Sequence, residues 1–126
     1  MGRPLVLIAD DDPLVVALLT DRLIHSGYHV ISAENGREAV DMAQAHCPAV
    51  AIFDVDMPGF SGLQALLTLR AREHALPTII LTAGRRPEDL IDAVHAGAAI
   101  FKVKPFDCDD IILQVDTLVA RNRRSS

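Results

Sequence analysis

Acidic residues follow two short apolar segments of the chain, and their types and positions are those of a metal-binding site. Asp10 and Asp11 come after the first segment, and Asp54 and Asp56 come after the second. Unit charges about 4 Å apart repel by roughly 4 kcal/mol at an effective dielectric of 20, so neighbouring carboxylates require a cation between them. A hard divalent ion such as Mg²⁺, or Mn²⁺ in its place, suits a site built only from oxygen ligands.

The two apolar segments, residues 5–9 and 49–53, predict the strands that would bring these acids together. Each is short and continuously apolar, which is typical of a strand covered on both faces. In open parallel sheets, ligands bind beyond the carboxyl ends of the strands. If the two strands are neighbours, three or four of these carboxylates crowd into one site.

A lysine after a third apolar segment could supply a further positive charge. Lys104 follows residues 98–103 and directly precedes Pro105. The proline fixes the local chain and can favour a cis bond that turns the lysine inward. Lys102 is the competing candidate because residues two apart in a strand share a face. The position next to Pro105 favours Lys104.

Thr82 closes the predicted strand that should lie beside the one ending at Asp54. A threonine at a strand end is common, but small residues follow it here, Ala83 and Gly84, and leave room for a ligand. Asp12 has a simpler interpretation. It precedes Pro13, which suits a first helical turn, so Asp12 is predicted to cap that helix.

Strand and helix signals alternate five times along the chain. Predicted strands cover residues 5–9, 28–32, 49–53, 78–82 and 98–103. The residues expected to line the inner faces of the intervening helices are Val16, Leu19 and Leu23; Ala39, Met42 and Ala43, with His46 as a further candidate; Leu63, Leu66, Leu67 and Arg70; Leu90, Ile91 and Val94; and Ile111, Ile112, Val115, Leu118 and Val119.

Five such strand–helix units, each of about 25 residues, predict a doubly wound α/β fold with parallel strands and helices on both faces. The pattern does not give the strand order. The flavodoxin-like order 2-1-3-4-5 would place the switch point between the first and third strands, where the acids lie. A length of 126 residues fits one domain. It is assigned to residues 1–120, with the basic residues 121–126 as a solvated tail or the start of a linker.

Composition and charge exclude several classes of protein. Half of the residues are hydrophobic and 23% are charged, which argues for a packed core and against disorder. The net charge of −5 argues against direct nucleic-acid binding. No apolar stretch approaches the roughly 20 residues of a membrane span. Cys47 and Cys108 form no metal-binding or redox motif, which fits a soluble protein of the cytoplasm.

The triplet Asp54-Val55-Asp56 also resembles the nucleophile motif of haloacid-dehalogenase-type phosphatases, in which the second aspartate is the general acid. In that family the motif belongs on the first strand. Here it lies on the third predicted strand, and the chain is short for that fold. A small phosphatase therefore stays an alternative.

The motifs taken in order resemble the receiver domains of two-component response regulators, along nearly the whole chain. The matching segments are Asp10-Asp11; Asp54-Val55-Asp56-Met57-Pro58-Gly59 followed by Gly62-Leu63; Leu81-Thr82-Ala83; and Lys104-Pro105-Phe106. Each segment alone is a weak signal, but the ordered set is specific.

The resemblance implies that Asp54 accepts a phosphoryl group from a histidine kinase or a histidine phosphotransfer protein. It implies that Asp11 and Asp54 ligate Mg²⁺ directly, Asp10 through a water molecule, and Asp56 through its backbone carbonyl. Thr82 and Lys104 would then bind the phosphoryl oxygens. Such a domain is no enzyme beyond catalysing its own phosphorylation and dephosphorylation.

The resemblance also implies a conformational switch. Phe101 stands at the position of an aromatic residue that is expected to turn inward on phosphorylation, together with a movement of Thr82. This would repack the face formed by the fourth helix, fifth strand and fifth helix, which a partner, an output domain or a second copy of the chain would bind. A receiver-like interaction module that is never phosphorylated is a further alternative, although such modules usually lack one of the acids, the threonine or the lysine.

Overall fold

The computed structural model describes residues 2–84 and 86–125, with side chains described as far as residue 122. Five strands alternate with five helices. The strands are β1 (Leu5–Ala9), β2 (His29–Ala33), β3 (Val50–Asp54), β4 (Thr78–Thr82) and β5 (Ile100–Val103). The helices are α1 (Pro13–His25), α2 (Gly36–His46), α3 (Gly62–Ala71), α4 (Glu88–Ala96) and α5 (Cys108–Ser125).

The strands form one parallel sheet in the order β2-β1-β3-β4-β5, which confirms the predicted doubly wound fold and its strand order. In the register of the sheet, Ala9 of β1 lies beside Phe53 of β3, and Asp54 lies beside Leu81 of β4. The carboxyl ends of the three central strands therefore meet at one edge, and the residues that follow them converge there.

Two apolar clusters cover the two faces of the sheet. Leu7, Phe53 and Ile80 belong to the cluster under α2, α3 and α4, whereas Ile8 and Ile52 belong to the cluster under α1 and α5. Successive residues of a strand point to opposite faces, so each central strand contributes to both clusters. This explains why these strands are continuously apolar in the sequence.

The predicted inner face of α5 is confirmed, that of α3 is wrong in part, and that of α4 is wrong. Leu67 and Arg70 of α3 are exposed, as is His46 of α2. All three large apolar residues of α4 are exposed, namely Leu90, Ile91 and Val94, while Asp89, Ala93 and Ala96 are buried. Small alanines let α4 lie close to the core, and this arrangement leaves its larger side chains on the outer surface.

Element boundaries differ from the predicted ones by a few residues. β3 extends through Asp54, β5 begins at Ile100 rather than at residue 98, and α5 continues through Ser125. The basic residues 121–125 are therefore helical, and residue 126 lies outside the described part. Within that part, no helix combines the length and the apolar character that crossing a membrane requires.

Candidate functional site

Three carboxylates meet at the edge where the central strands end. Asp10 follows β1, Asp11 comes next, and Asp54 is the last residue of β3. One oxygen from each lies within 4.8 Å of the others. Asp10 and Asp54 are only 3% and 2% exposed, whereas Asp11 is open to solvent. The predicted clustering is confirmed for these three carboxylates, because β1 and β3 are neighbours in the sheet, whereas the carboxylate of Asp56 is not part of the cluster.

Backbone groups orient the two buried carboxylates in the same way. The Asp12 amide donates a hydrogen bond of 2.9 Å to Oδ1 of Asp10, and the Asp56 amide donates one of 3.1 Å to Oδ1 of Asp54. In both cases the amide comes from the residue two positions later. Oδ2 of each carboxylate faces a lysine instead.

That lysine is Lys104. Its Nζ lies 3.1 Å from Oδ2 of Asp10 and 3.4 Å from Oδ2 of Asp54. The Lys104–Pro105 bond is cis, and the Lys104 amide donates to the Thr82 carbonyl at 2.7 Å. Lys102, the competing candidate, forms an ion pair of 2.7 Å with Asp110 of α5. The structure therefore brings Lys104, and not Lys102, to the acids.

The charges of this site perturb two of its groups. Burial raises the pKa of Asp54 to about 6; the nearby charge of Asp10 adds to this effect, while the Asp56 amide and Lys104 oppose it. Burial alone would lower the pKa of Lys104, but its hydrogen bond to Asp10 and the charges of Asp54 and Asp10 outweigh this and raise it. The lysine therefore stays protonated at neutral pH.

The donor set fits a divalent metal ion. Three carboxylates and one ammonium carry a formal charge of −3 + 1 = −2 when all are ionised. All three acidic ligands are hard oxygen donors, and Asp11 provides an exposed side through which water and an ion can enter. Mg²⁺ prefers a few carboxylates with remaining water ligands, which matches this arrangement.

Gly62 holds the loop after β3 close to the site. It is the first residue of α3, and a Cβ atom there would collide with the backbone carbonyl of Asp54. Ser61 and Gln64 form a capping box at the same helix start, with hydrogen bonds of 3.2 Å and 2.8 Å. These contacts fix the chain from Asp54 to α3. Asp12 caps α1 through a 3.0 Å bond from the Leu14 amide, as predicted.

Thr82 ends β4 and is completely buried. Its Oγ1 accepts a hydrogen bond of 3.2 Å from the Gly84 amide and donates one of 3.3 Å to Oδ2 of Asp89. Asp56 is exposed, and its Oδ2 accepts a hydrogen bond of 3.0 Å from the Ala83 amide. The hydroxyl of Thr82 thus bonds to a residue of α4, a partner that sequence reasoning missed.

Phe101 of β5 is half-buried and packs against the apolar cluster under α2, α3 and α4. It lies beside Ile80 of β4, two residues before Thr82. Phe101 therefore lies on the strand next to the one that ends at Thr82. Its predicted role as a switch residue stays a prediction.

In the absence of a divalent ion, we expect the free energy of unfolding to fall as the pH rises from about 4 through about 6. Folded Asp54 has a pKa of about 6 and an ordinary value of 3.8, so the folded chain holds a proton that the unfolded chain has already lost. The gap between the two values corresponds to about 3 kcal/mol.

Urea unfolding in the presence of a chelator, between pH 4 and pH 8, measures this effect. Asp54→Asn should lack most of the decline and be more stable than the wild type at pH 7. Added Mg²⁺ should restore stability to the wild type but not to the variant. Equal pH dependence of the two proteins would contradict the assigned pKa.

Comparison with known proteins places this geometry in a family. Residues 6–116 match the family model described as the response regulator receiver domain. The chain belongs to the response regulator receiver domain family. The matched span contains every residue of the site, from Asp10 to Lys104.

Individual relatives agree with this assignment. The receiver domain is 33% identical over 121 residues to a probable transcriptional regulatory protein, TcrX of Mycobacterium tuberculosis, covering 95% of this chain and 52% of TcrX. It is 37% identical over 118 residues to the transcriptional regulatory protein KdpE of the same species, covering 94% and 52%. The chain thus spans about half the length of these curated relatives.

A solved structure of high similarity is the receiver domain of the Francisella response regulator 1452. It has a TM-score of 0.89 and 30% identity, and the match covers 95% of this chain and 99% of that one. The Francisella chain is itself described as a receiver domain, so the likeness covers that unit almost completely.

Proposed function

We propose that this receiver domain is a phosphorylation-dependent switch of a two-component phosphorelay. Asp54 accepts a phosphoryl group from a phosphorylated histidine of a kinase or a phosphotransfer protein. The observation that supports this most strongly is the position of Asp54, a buried carboxylate with an ammonium group 3.4 Å away and two further carboxylates beside it.

The residues of the site have separate roles in the phosphoryl transfer. The Asp56 amide holds one oxygen of Asp54 and so fixes the carboxylate for attack. A bond forms between an Asp54 oxygen and phosphorus while the bond between phosphorus and the donor histidine nitrogen breaks. Phosphoryl transfer has a loose transition state, so alignment and charge neutralisation supply most of the catalysis. Lys104 neutralises charge on the phosphoryl oxygens.

Mg²⁺ would be held by Asp11 and Asp54 directly, by Asp10 through water and by the backbone carbonyl of Asp56, with Mn²⁺ as a substitute. When bound, the ion keeps Asp54 ionised and offsets charge on the phosphoryl group. Asp54 then needs no general base. Asp56 and Gly84, two residues beyond Asp54 and Thr82, line the route by which water hydrolyses the acyl phosphate and ends the signal.

The donor protein has a surface to approach beside the acids. A groove of about 1360 Å³ runs from Asp10 and Asp11 along α1 and reaches Phe60. Exposed apolar residues of α1 include Leu14 and Leu18, which are 65% and 51% exposed. These two residues lie beside the groove, whereas Ile24 of α1, which is 48% exposed, lines it. A groove next to the acceptor lets a partner bind while its histidine reaches Asp54.

The phosphoryl group then changes a second surface of the domain. Thr82 donates its hydroxyl to a phosphoryl oxygen, Lys104 pairs with another, and Phe101 turns inward. The face formed by α4, β5 and α5 carries the output. Its exposed apolar residues include Leu90, Ile91, Val94 and Val103, which support a contact with an output domain, a partner protein or a second copy of the chain. Sizing experiments with and without beryllofluoride distinguish a homodimer from the others.

The remaining parts of this function are proposed by analogy. The relatives named above are transcriptional regulators that extend well beyond the matched region. The receiver domain is assigned to residues 1–120, residues 121–126 begin a linker to an output element, and the domain acts in the cytoplasm. The phosphatase alternative loses support, because the motif lies on β3 and the chain belongs to the receiver family.

Incubation with acetyl phosphate and Mg²⁺ tests the proposal. A switch gains one labile phosphoryl group per chain and loses it slowly. A phosphatase releases phosphate in bulk without retaining a label, and an interaction module does neither. Release in bulk, or the absence of any label at saturating acetyl phosphate, would refute the proposed function.

A further inference from the structure

Asp89 is a buried acid that the proposed phosphoryl transfer does not use. Among the described residues, five polar side chains are buried: Asp10, Asp54, Thr78, Thr82 and Asp89. Asp10 and Asp54 belong to the acid cluster, and the Thr78 hydroxyl bonds to the Leu76 carbonyl at 2.8 Å. Asp89 is 4% exposed and lies outside that cluster, in the first turn of α4. Burial of a carboxylate is costly unless polar groups bind it, so the groups that contact Asp89 indicate why it is buried.

The partner that donates to Asp89 is the Thr82 hydroxyl, at 3.3 Å. A hydroxyl has one proton to donate. The Gly84 amide donates to the same Thr82 oxygen at 3.2 Å, and this bond helps to aim the proton at Asp89. Both contacts hold Thr82 in a fixed rotamer in the unphosphorylated domain.

The negative charge of Asp89 has two further sources of stabilisation. Its position in the first turn of α4 is favourable to an acidic group, because the amino end of a helix is positive. Nε of Arg86 lies 4.0 Å from Oδ1 of Asp89. Loss of the Thr82 hydrogen bond would therefore leave the carboxylate with partial compensation rather than alone.

We propose that Asp89 is a latch that holds Thr82 in the unphosphorylated state and so sets the equilibrium between the two states of the switch. This inference rests on the proposed function, in which the phosphoryl group on Asp54 needs the same Thr82 proton. One proton cannot serve both acceptors. Phosphorylation must take it from Asp89, and the strength of that bond opposes activation.

Release of the latch also explains how the signal reaches α4. The Thr82–Asp89 bond joins the end of β4 to the first turn of α4. A groove of about 420 Å³ between α3 and α4 adjoins Asp89, with Arg86 and Asp92 on its walls. Once Thr82 turns away, the Asp89 carboxylate can move into this groove towards Arg86, and the first turn of α4 moves with it.

The test is the affinity for beryllofluoride, a phosphoryl mimic, at fixed Mg²⁺, measured by amide chemical shifts in the whole chain. Asp89→Ala should bind beryllofluoride about five- to tenfold more tightly than the wild type, because hydrogen bonds to charged groups are stronger than neutral ones but this one is long. Asp89→Asn keeps the shape and a weaker acceptor, so its affinity should lie between the two. Unfolding by urea identifies which variants remain folded.

A double-mutant cycle separates the latch from a general effect of charge or packing. In a Thr82→Ala background there is no hydroxyl to release, so Asp89→Ala should change beryllofluoride affinity by less than about twofold. Asp92→Ala is the matched control, since it removes the same charge from an exposed acid of α4 that lines the same groove. This variant should leave the affinity for beryllofluoride unchanged.

Two results would overturn the latch. One is wild-type affinity in both folded Asp89 variants. The other is an equal gain in the presence and absence of the Thr82 hydroxyl. Failure of the proposed function looks different, because the wild type itself would then neither bind beryllofluoride nor take up label from acetyl phosphate.

Discussion

Replacement of Asp54 by asparagine should abolish phosphoryl uptake from acetyl phosphate or from a phosphorylated histidine donor. The amide lacks the anionic oxygen that must attack phosphorus, and it supplies a weaker metal ligand than a carboxylate. The shape of the side chain is retained, and the Asp56 amide can still donate to the remaining oxygen at this position. The label incorporated per chain, measured in the presence of Mg²⁺, should fall to the background of the assay.

The matched control is Asp41→Asn, which removes the same charge from an exposed position on α2. Its label per chain should equal that of the wild type. The predicted gain in the free energy of unfolding of Asp54→Asn without a divalent ion provides a second control. If it is observed, the loss of label does not result from unfolding of the variant. Labelling of Asp54→Asn to the extent of the wild type would refute Asp54 as the acceptor.

Replacement of Lys104 by methionine should slow phosphorylation by acetyl phosphate about 100-fold, the usual effect of removing one preorganised electrostatic group from a reacting centre. Lys104 is the cation that contacts both Asp10 and Asp54, at 3.1 Å and 3.4 Å. Methionine keeps most of the length of the side chain but not its charge. The initial rate of label incorporation at saturating Mg²⁺ measures the effect.

Lys102→Met is the control, because it removes an equal charge two residues away, where the partner is Asp110 rather than the acid cluster. Its rate should stay within about twofold of the wild type, as expected for a partly exposed ion pair. Equal loss in the two variants would show that the net charge of this segment, and not the contact of Lys104 with the acids, controls the rate.

The sequence predicts the acid cluster correctly for a simple physical reason. Continuous apolar strands must be covered on both faces, which requires helices on both sides of a parallel sheet. Parallel strands place their carboxyl ends at one edge, and Asp10, Asp54 and Thr82 each follow or end such a strand. Periodicity contains no information about the strand order, which follows only from analogy with a known architecture.

The choice between Lys102 and Lys104 was also accessible, through Pro105. The proline restricts the backbone of the residue before it, and this local restriction indicates correctly which lysine contacts the acid cluster. The two lysines also show where the alternation of strand residues between the two faces of a sheet stops being a guide. Lys104 lies beyond the end of β5, so the rule that alternate residues share a face does not apply to it.

The inner face of α4 and the role of Asp89 could not be obtained from the pattern. A stripe of Leu90, Ile91 and Val94 predicts burial, yet the helix lies on the core through Ala93 and Ala96. Alanine is a weak signal of burial because it tolerates both environments. An aspartate in a first helical turn is common, and only the position of Thr82 in space distinguishes Asp89 from an ordinary surface acid.

Reductive trapping of the phosphorylated domain is the most direct test of the central claim. Borohydride reduces an acyl phosphate to an alcohol, so a phosphorylated aspartate becomes homoserine, which peptide mass spectrometry locates in the chain. After treatment with acetyl phosphate and Mg²⁺, we predict homoserine at position 54 and at no other acidic position. Homoserine at position 10, 11 or 56, or its absence from a domain that carries a stable label, would contradict the account.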